Sequence, residues 1–175
     1  MGEWKGGAKG ECPAIRELKE ALMLGVPLLA ADRNKIGTIR GDGSRHTAGL
    51  AMDIMLDSRD SVEKSVADQI IDALITVHPQ MRWADIIYVD WNGKTPVYFH
   101  IPGMPPYGGR KGMLKKNPTD PALGAKHKNH IHIDWWGFNS KDWPPHAKTT
   151  GFKTALVAEL QKPPKWVTEW LSKAA

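Results

Sequence analysis

Leu50-Ala51-Met52-Asp53-Ile54-Met55-Leu56 and His130-Ile131-His132-Ile133-Asp134-Trp135 decide the fold, because both alternate. In an extended chain Leu50, Met52, Ile54 and Leu56 share one face and Ala51, Asp53 and Met55 the other; Ile131, Ile133 and Trp135 likewise oppose His130, His132 and Asp134. Period two with one bulky apolar face predicts strands that cover a core on one side only. Thr38 to Arg40 reads as a further short strand. Ile86 to Asp90 and Pro96 to Ile101 flank Trp91-Asn92-Gly93-Lys94, and Asn-Gly between β-branched and aromatic runs predicts a hairpin.

Helical spacing surrounds these strands. Pro13 suits a first helical turn, and Ile15, Leu18 and Leu22 recur until Gly25, so a helix is expected over 13–24. Asp60 with Glu63 forms a capping-box signature ahead of Val62, Val66, Ile70, Leu74 and Val77, and Pro79 closes this second helix, expected over 60–78. Two short helices, 151–161 and 165–173, are expected on either side of Pro163-Pro164. Between Pro102 and Lys126 the composition turns to Pro, Gly and basic residues, an irregular loop expected to wall or cover a site. The fold class is therefore α+β: one domain over 1–175, with a small antiparallel sheet carrying the polar residues on its central strands and helices on the opposite face.

Composition limits the functions. With 41% hydrophobic and 25% charged residues in 175, the chain can bury a core without disulfides or a structural metal. The longest uncharged apolar run, Ala21 to Ala31, is about half the roughly 20 residues that a bilayer span needs, so no membrane insertion is expected. Met1 to Gly7 shows no apolar core behind a basic start, which predicts synthesis in the cytoplasm without a signal peptide. Cys12 is the only cysteine, excluding an internal disulfide and zinc sites built from several thiolates. A net charge of +5 and a pI near 9.3 favour polyanionic partners: nucleic acid, anionic membranes or acidic wall polymers. No aromatic-basic RNA motif accompanies the Lys-rich stretch 110–128, so nucleic acid is not the expected partner.

Four of the seven histidines fall in two short segments, Ser44 to Asp53 and His127 to His132. His130 and His132 point the same way from one strand, and an aspartate inside an apolar strand is costly unless cations or donors compensate it. His46, Asp53 and His132 would form an open N,N,O zinc site, with a fourth position for water.

Ser44-Arg45-His46, Gly49, Ala51 and Asp53 resemble the S-x-H-x-x-G-x-A-x-D motif of the LAS-type zinc metallopeptidases, the group of lysostaphin, the D-Ala-D-Ala carboxypeptidases and the hedgehog signalling domain. His130-Ile131-His132 is similar to that group's His-x-His. The carboxypeptidase-like members carry a glutamate base three residues before the last ligand, where this chain has Asn129. His127, His130 and His132 instead resemble the His-x-x-His-x-His of the murein endopeptidase branch. The resemblance implies a hedgehog-like fold and a zinc-dependent endopeptidase acting on the stem-peptide cross-links of bacterial peptidoglycan. D-Ala-D-Ala carboxypeptidase or L-Ala-D-Glu endopeptidase activity, or a non-catalytic zinc-binding domain of the same fold, are the alternatives.

Roles follow from chemistry. His130 or His127 could pass a proton from water to the leaving amine, and Arg45 could grip a substrate carboxylate or the oxyanion. Asp134 is a candidate to orient a ligating imidazole, and His100 could line the site. Trp135 and Trp136 are read mostly as core; His78 and His146 have no assigned role. A basic wall hydrolase without a leader would act in the periplasm or cell wall after release or delivery. It would be a phage endolysin or an antibacterial effector, the latter with a secretion apparatus and a cognate immunity protein as partners.

Overall fold

The structure, a computed structural model, describes residues 10–37, 45–89, 96–100, 113–115, 127, 129–135 and 148–162, with 89, 96–100 and 113–115 described in backbone only. Helix α1 runs Pro13–Gly25 with Pro13 in its first turn, where a missing N–H costs nothing, and it buries Ala14, Ile15, Leu18, Ala21 and Leu22. Gly25 does not stop the helix but ends it inside, and its lack of a side chain has a packing reason. A Cβ there would stand 2.7 Å from Leu160 Cδ1 and 3.0 Å from Leu160 Cβ. Val26 then turns extended and Pro27 opens a short helix that the sequence pattern did not suggest, α2 (Pro27–Ala31). One 3-10 turn, Arg33–Lys35, follows.

Helix α3 occupies Ser61–Thr76. Asp60 caps it as expected, its carboxylate accepting from the N–H groups of Val62 and Glu63 at 2.8 and 3.0 Å. Glu63, by contrast, does not return to Asp60; its carboxylate accepts from the Asp57 N–H at 2.6 Å and pairs with Lys35 Nζ at 2.7 Å. The capping partner thus ties the helix start to the 3-10 turn. Pro79 opens rather than closes a helix, α4 (His78–Met81). The last described helix, α5, is Lys153–Leu160, shorter than the expected 151–161.

Six described strands form one antiparallel sheet in the order β1 (Ile36–Gly37), β2 (Ala51–Ile54), β6 (Ile131–Asp134), β3 (Asp85–Val89), β4 (Pro96–His100), β5 (Met113–Lys115). Both deciding stretches are strands, each trimmed at its ends, and they are adjacent. The hairpin is present as β3 and β4, in a register symmetric about positions 92 and 93. Its turn lies outside the described residues, as do the strand expected at 38–40, the helix expected at 165–173 and most of 102–126. The irregular loop is corrected in one place: 113–115 is a strand on β4. The described backbone of β5 pairs there with Tyr98, Phe99 and His100, continuing the sheet's ladder.

The sheet has two unlike faces. Met52, Ile133 and Ile86 line up across β2, β6 and β3, with Ile54, Ile131 and Tyr88 beside them. All six are buried in one core cluster with residues of α1, α3 and α5, so the helices cover this face. The other face carries Asp53, His132 and Ile87 in one row and Ala51, Asp134 and Asp85 in the next. Among the described residues no helix is long and apolar enough to cross a membrane. Removing the cap by Asp60→Ala should lower stability by about 1 kcal/mol, read as a lower denaturant midpoint with an unchanged slope.

Candidate metal centre

Antiparallel pairing sets Asp53 directly opposite His132, which brings their side chains together on the polar face. His46 arrives from a single turn over 45–49 that feeds β2. Leu50 N–H donates to the Arg45 carbonyl and Gly49 N–H to the His46 carbonyl, each at 2.9 Å, and Gly49 takes φ 67°. This is the paperclip that ends a helical turn with a left-handed residue, a conformation that glycine adopts without a Cβ penalty. The glycine of the motif therefore holds Arg45 and His46 above the strand that carries Asp53. Cys12 N–H donates to the Gly49 carbonyl at 3.0 Å, tying the turn to the start of α1.

Three atoms converge. His46 Nε2 is 3.3 Å from His132 Nδ1 and 3.3 Å from Asp53 Oδ1, and His132 Nδ1 is 3.0 Å from Asp53 Oδ1. An ion bound tetrahedrally at ~2.0–2.1 Å sets its donors ~3.3–3.4 Å apart, close to the observed triangle. Hydrogen bonding satisfies it less well, since with both imidazoles donating to Asp53 the His46 Nε2 and His132 Nδ1 donors face each other at 3.3 Å. His46, Asp53 and His132 could thus hold a metal ion, and two imidazoles with one carboxylate suit a first-row divalent cation.

Charge reinforces the fit. Burial pushes the Asp53 carboxyl up, but hydrogen bonds from His132 and His46 and the charge of His130 outweigh it and hold the group well below the usual carboxylate range. Burial pushes His132 down, yet its hydrogen bonds to Asp134 and Asp53 prevail and raise it to about 9. A metal-free site therefore keeps a proton on His132 where the metal would sit.

The surrounding groups are ordered. His132 Nε2 lies 3.3 Å from Asp134 Oδ2, which leaves Nδ1 for the triangle and matches the orienting role expected of Asp134. Arg45 Nη1 donates to Asp85 Oδ2 at 3.1 Å and to Asp134 Oδ1. His130 Nδ1 is 2.9 Å from Asn129 Oδ1, and its Nε2 is 3.7 Å from Asp53 Oδ1. The His127 ring lies 4.8 Å from that of His130 and 5.3 Å from that of His132.

The structure accordingly brings Arg45, His46, Asp53, His127, His130, His132 and Asp134 to one place. Ser44, Trp136 and His146 lie outside the described residues, and His100 is seen only as a backbone partner of Asp85. Trp135 is fully buried and donates to the Met81 carbonyl at 3.1 Å, a core residue. His78 stacks edge-on against Trp83. Asp85 was not foreseen, although an aspartate opening the apolar run Ile86-Ile87-Tyr88 is the same signal that drew attention to Asp53. No protein family, curated protein or solved structure matches this chain.

One divalent ion per chain is expected by elemental analysis, lost in His46→Ala and His132→Ala. Binding must expel the His132 proton, so affinity should rise with pH up to about 9 and calorimetry in buffers of different ionisation heat should show proton release. In the metal-free protein the raised His132 value is a stabilising contribution that is complete below 6.5 and fades as pH rises through about 9.

Proposed function

We propose that the chain is a zinc-dependent hydrolase that cleaves peptide bonds in the stem-peptide cross-links of bacterial peptidoglycan. The observation that carries the reading is the donor triangle of His46, Asp53 and His132, with two further histidines, His127 and His130, packed beside it and not among its corners. A structural zinc site closes its fourth position with protein, whereas a hydrolytic one keeps it for water. The wall-peptide substrate rests on the motif resemblance and on the basic charge, which suits an anionic polymer.

Zinc, when bound, would polarise the scissile carbonyl and lower the pKa of water from 15.7 to about 7. The chain's own residues do the rest. His130 donates Nδ1–H to Asn129 Oδ1, which aims its Nε2 at the ligand set, where the neutral imidazole takes a proton from water and returns it to the leaving amine. His127, buried against His130, holds that ring in place and is the second candidate for the proton. Asp134 keeps the His132 proton on Nε2. Asn129 occupies the place of the carboxypeptidase glutamate, which favours cleavage within cross-links over trimming of a free D-Ala end.

Such an enzyme meets its polymer in the periplasm or wall, reached by release as an endolysin or by delivery as an effector against which a producer would need an immunity protein. Digestion of purified sacculi followed by mass spectrometry should show shorter stem peptides with new amino groups and intact glycan strands. His130→Ala should keep its zinc and lose about 100- to 10,000-fold in turnover, His127→Ala less. A zinc-loaded wild type that leaves muropeptides unchanged would remove the hydrolase reading and leave a zinc-binding domain.

A further inference from the structure

We infer that Arg45 and Asp85 form a positioning clamp on the metal centre: Arg45, anchored by Asp85, holds Asp134 so that His132 meets the metal through Nδ1. The inference rests on the metal-centre reading and is independent of the substrate. Its starting point is a conflict in the sheet. Asp85 and Asp134 are direct partners in the β3–β6 register, both on the polar face and both under 10% exposed, at 7% and 5%. Like charges directly opposite each other destabilise an antiparallel pair, and burial sharpens the penalty.

Arg45 resolves the conflict, since its Nη1 reaches both carboxylates. Asp134 then has one oxygen on Arg45 and the other on His132 Nε2, so it cannot rotate away without losing both. The chain Asp85, Arg45, Asp134, His132 fixes which imidazole nitrogen points at Asp53. It also fixes a second ligand, because Arg45 and His46 are neighbours on the same turn and the ion pairs hold that turn against β3 and β6. A formal count agrees: Asp53, Asp85 and Asp134 against Arg45 leave two negative charges, the complement of one divalent ion. Arg45 is thereby a positioning residue, its Nη1 amino group using its two N–H bonds on two carboxylates.

The test uses the full chain titrated with zinc against a chromophoric chelator at fixed pH, alongside NMR of the His132 side chain in the zinc-loaded state. The wild type is expected to bind one zinc and to show a protected Nε2–H on His132. Asp134→Asn and Arg45→Met should each weaken zinc binding by about 10- to 100-fold, and Asp85→Asn by about 10-fold, with the Nε2–H lost to solvent exchange. Arg45→Lys should recover part of the affinity. The double variant Arg45→Met/Asp134→Asn should bind no more weakly than Asp134→Asn alone, because both act through one link. Thermal melts of the metal-free proteins identify any variant that fails to fold; Asp85→Asn and Arg45→Lys, which keep the cation, then carry the test. Wild-type affinity and a protected Nε2–H in Asp85→Asn and Arg45→Met, or losses that multiply in the double variant, would overturn the clamp. A wild type that binds no zinc would overturn the centre itself and the clamp with it.

Discussion

Buried negative charge on one face of a small sheet is the constraint around which this molecule is built. Asp53, Asp85 and Asp134 are each under 10% exposed, on neighbouring strands, with core packing on the far side of the same strands. Carboxylates so placed stay ionised only if donors and cations converge on them, and each is met in a different way. Asp53 has imidazoles, Asp85 has Arg45, and Asp134 has both. The polar face is therefore a connected network, in which changing one member alters the compensation of the others.

The apolar half of the structure makes that arrangement durable. Met52, Ile54, Ile131, Ile133, Ile86 and Tyr88 anchor the three central strands in the helical layer, so the register that aligns Asp53 with His132 is fixed by the core. A slip of one residue would send those apolar side chains to the polar face and the ligands into the core. The turn that carries His46 is held separately, by Gly49 and by the bond from Cys12. Strand, neighbouring strand and turn thus each deliver one corner of the donor triangle. A site assembled from rigid elements is organised in advance for an ion.

In the proposed mechanism, proton handling falls to groups just outside that triangle. His130 shares the strand face of His132 but begins before the strand, so its Nε2 stands near Asp53 while its Nδ1 is engaged by Asn129. Two histidines two residues apart, one just ahead of β6 and one on it, are thereby given different tasks in the proposed mechanism: Asp134 presents one as a ligand, and Asn129 turns the other toward the reacting water.

The strands β2 and β6, the helix starts at Pro13 and Asp60, the β3–β4 hairpin and the His46, Asp53, His132 group that could hold an ion were legible in the sequence because each is a local signal: alternation, turn chemistry, or histidine and aspartate at fixed spacing. Their composition also determined that a metal would be held by nitrogen and oxygen, since Cys12 stands alone. What the linear pattern could not hold was distance between segments. Residues 85, 45 and 134 carry no mutual spacing rule, so the meeting of Asp85, Arg45 and Asp134 is decided only when β6 inserts between β2 and β3. The same is true of Gly25, whose local reading as a helix stop gave way to a close approach by Leu160. Sequence periodicity sets which face a side chain occupies; only strand order and helix packing set what it faces.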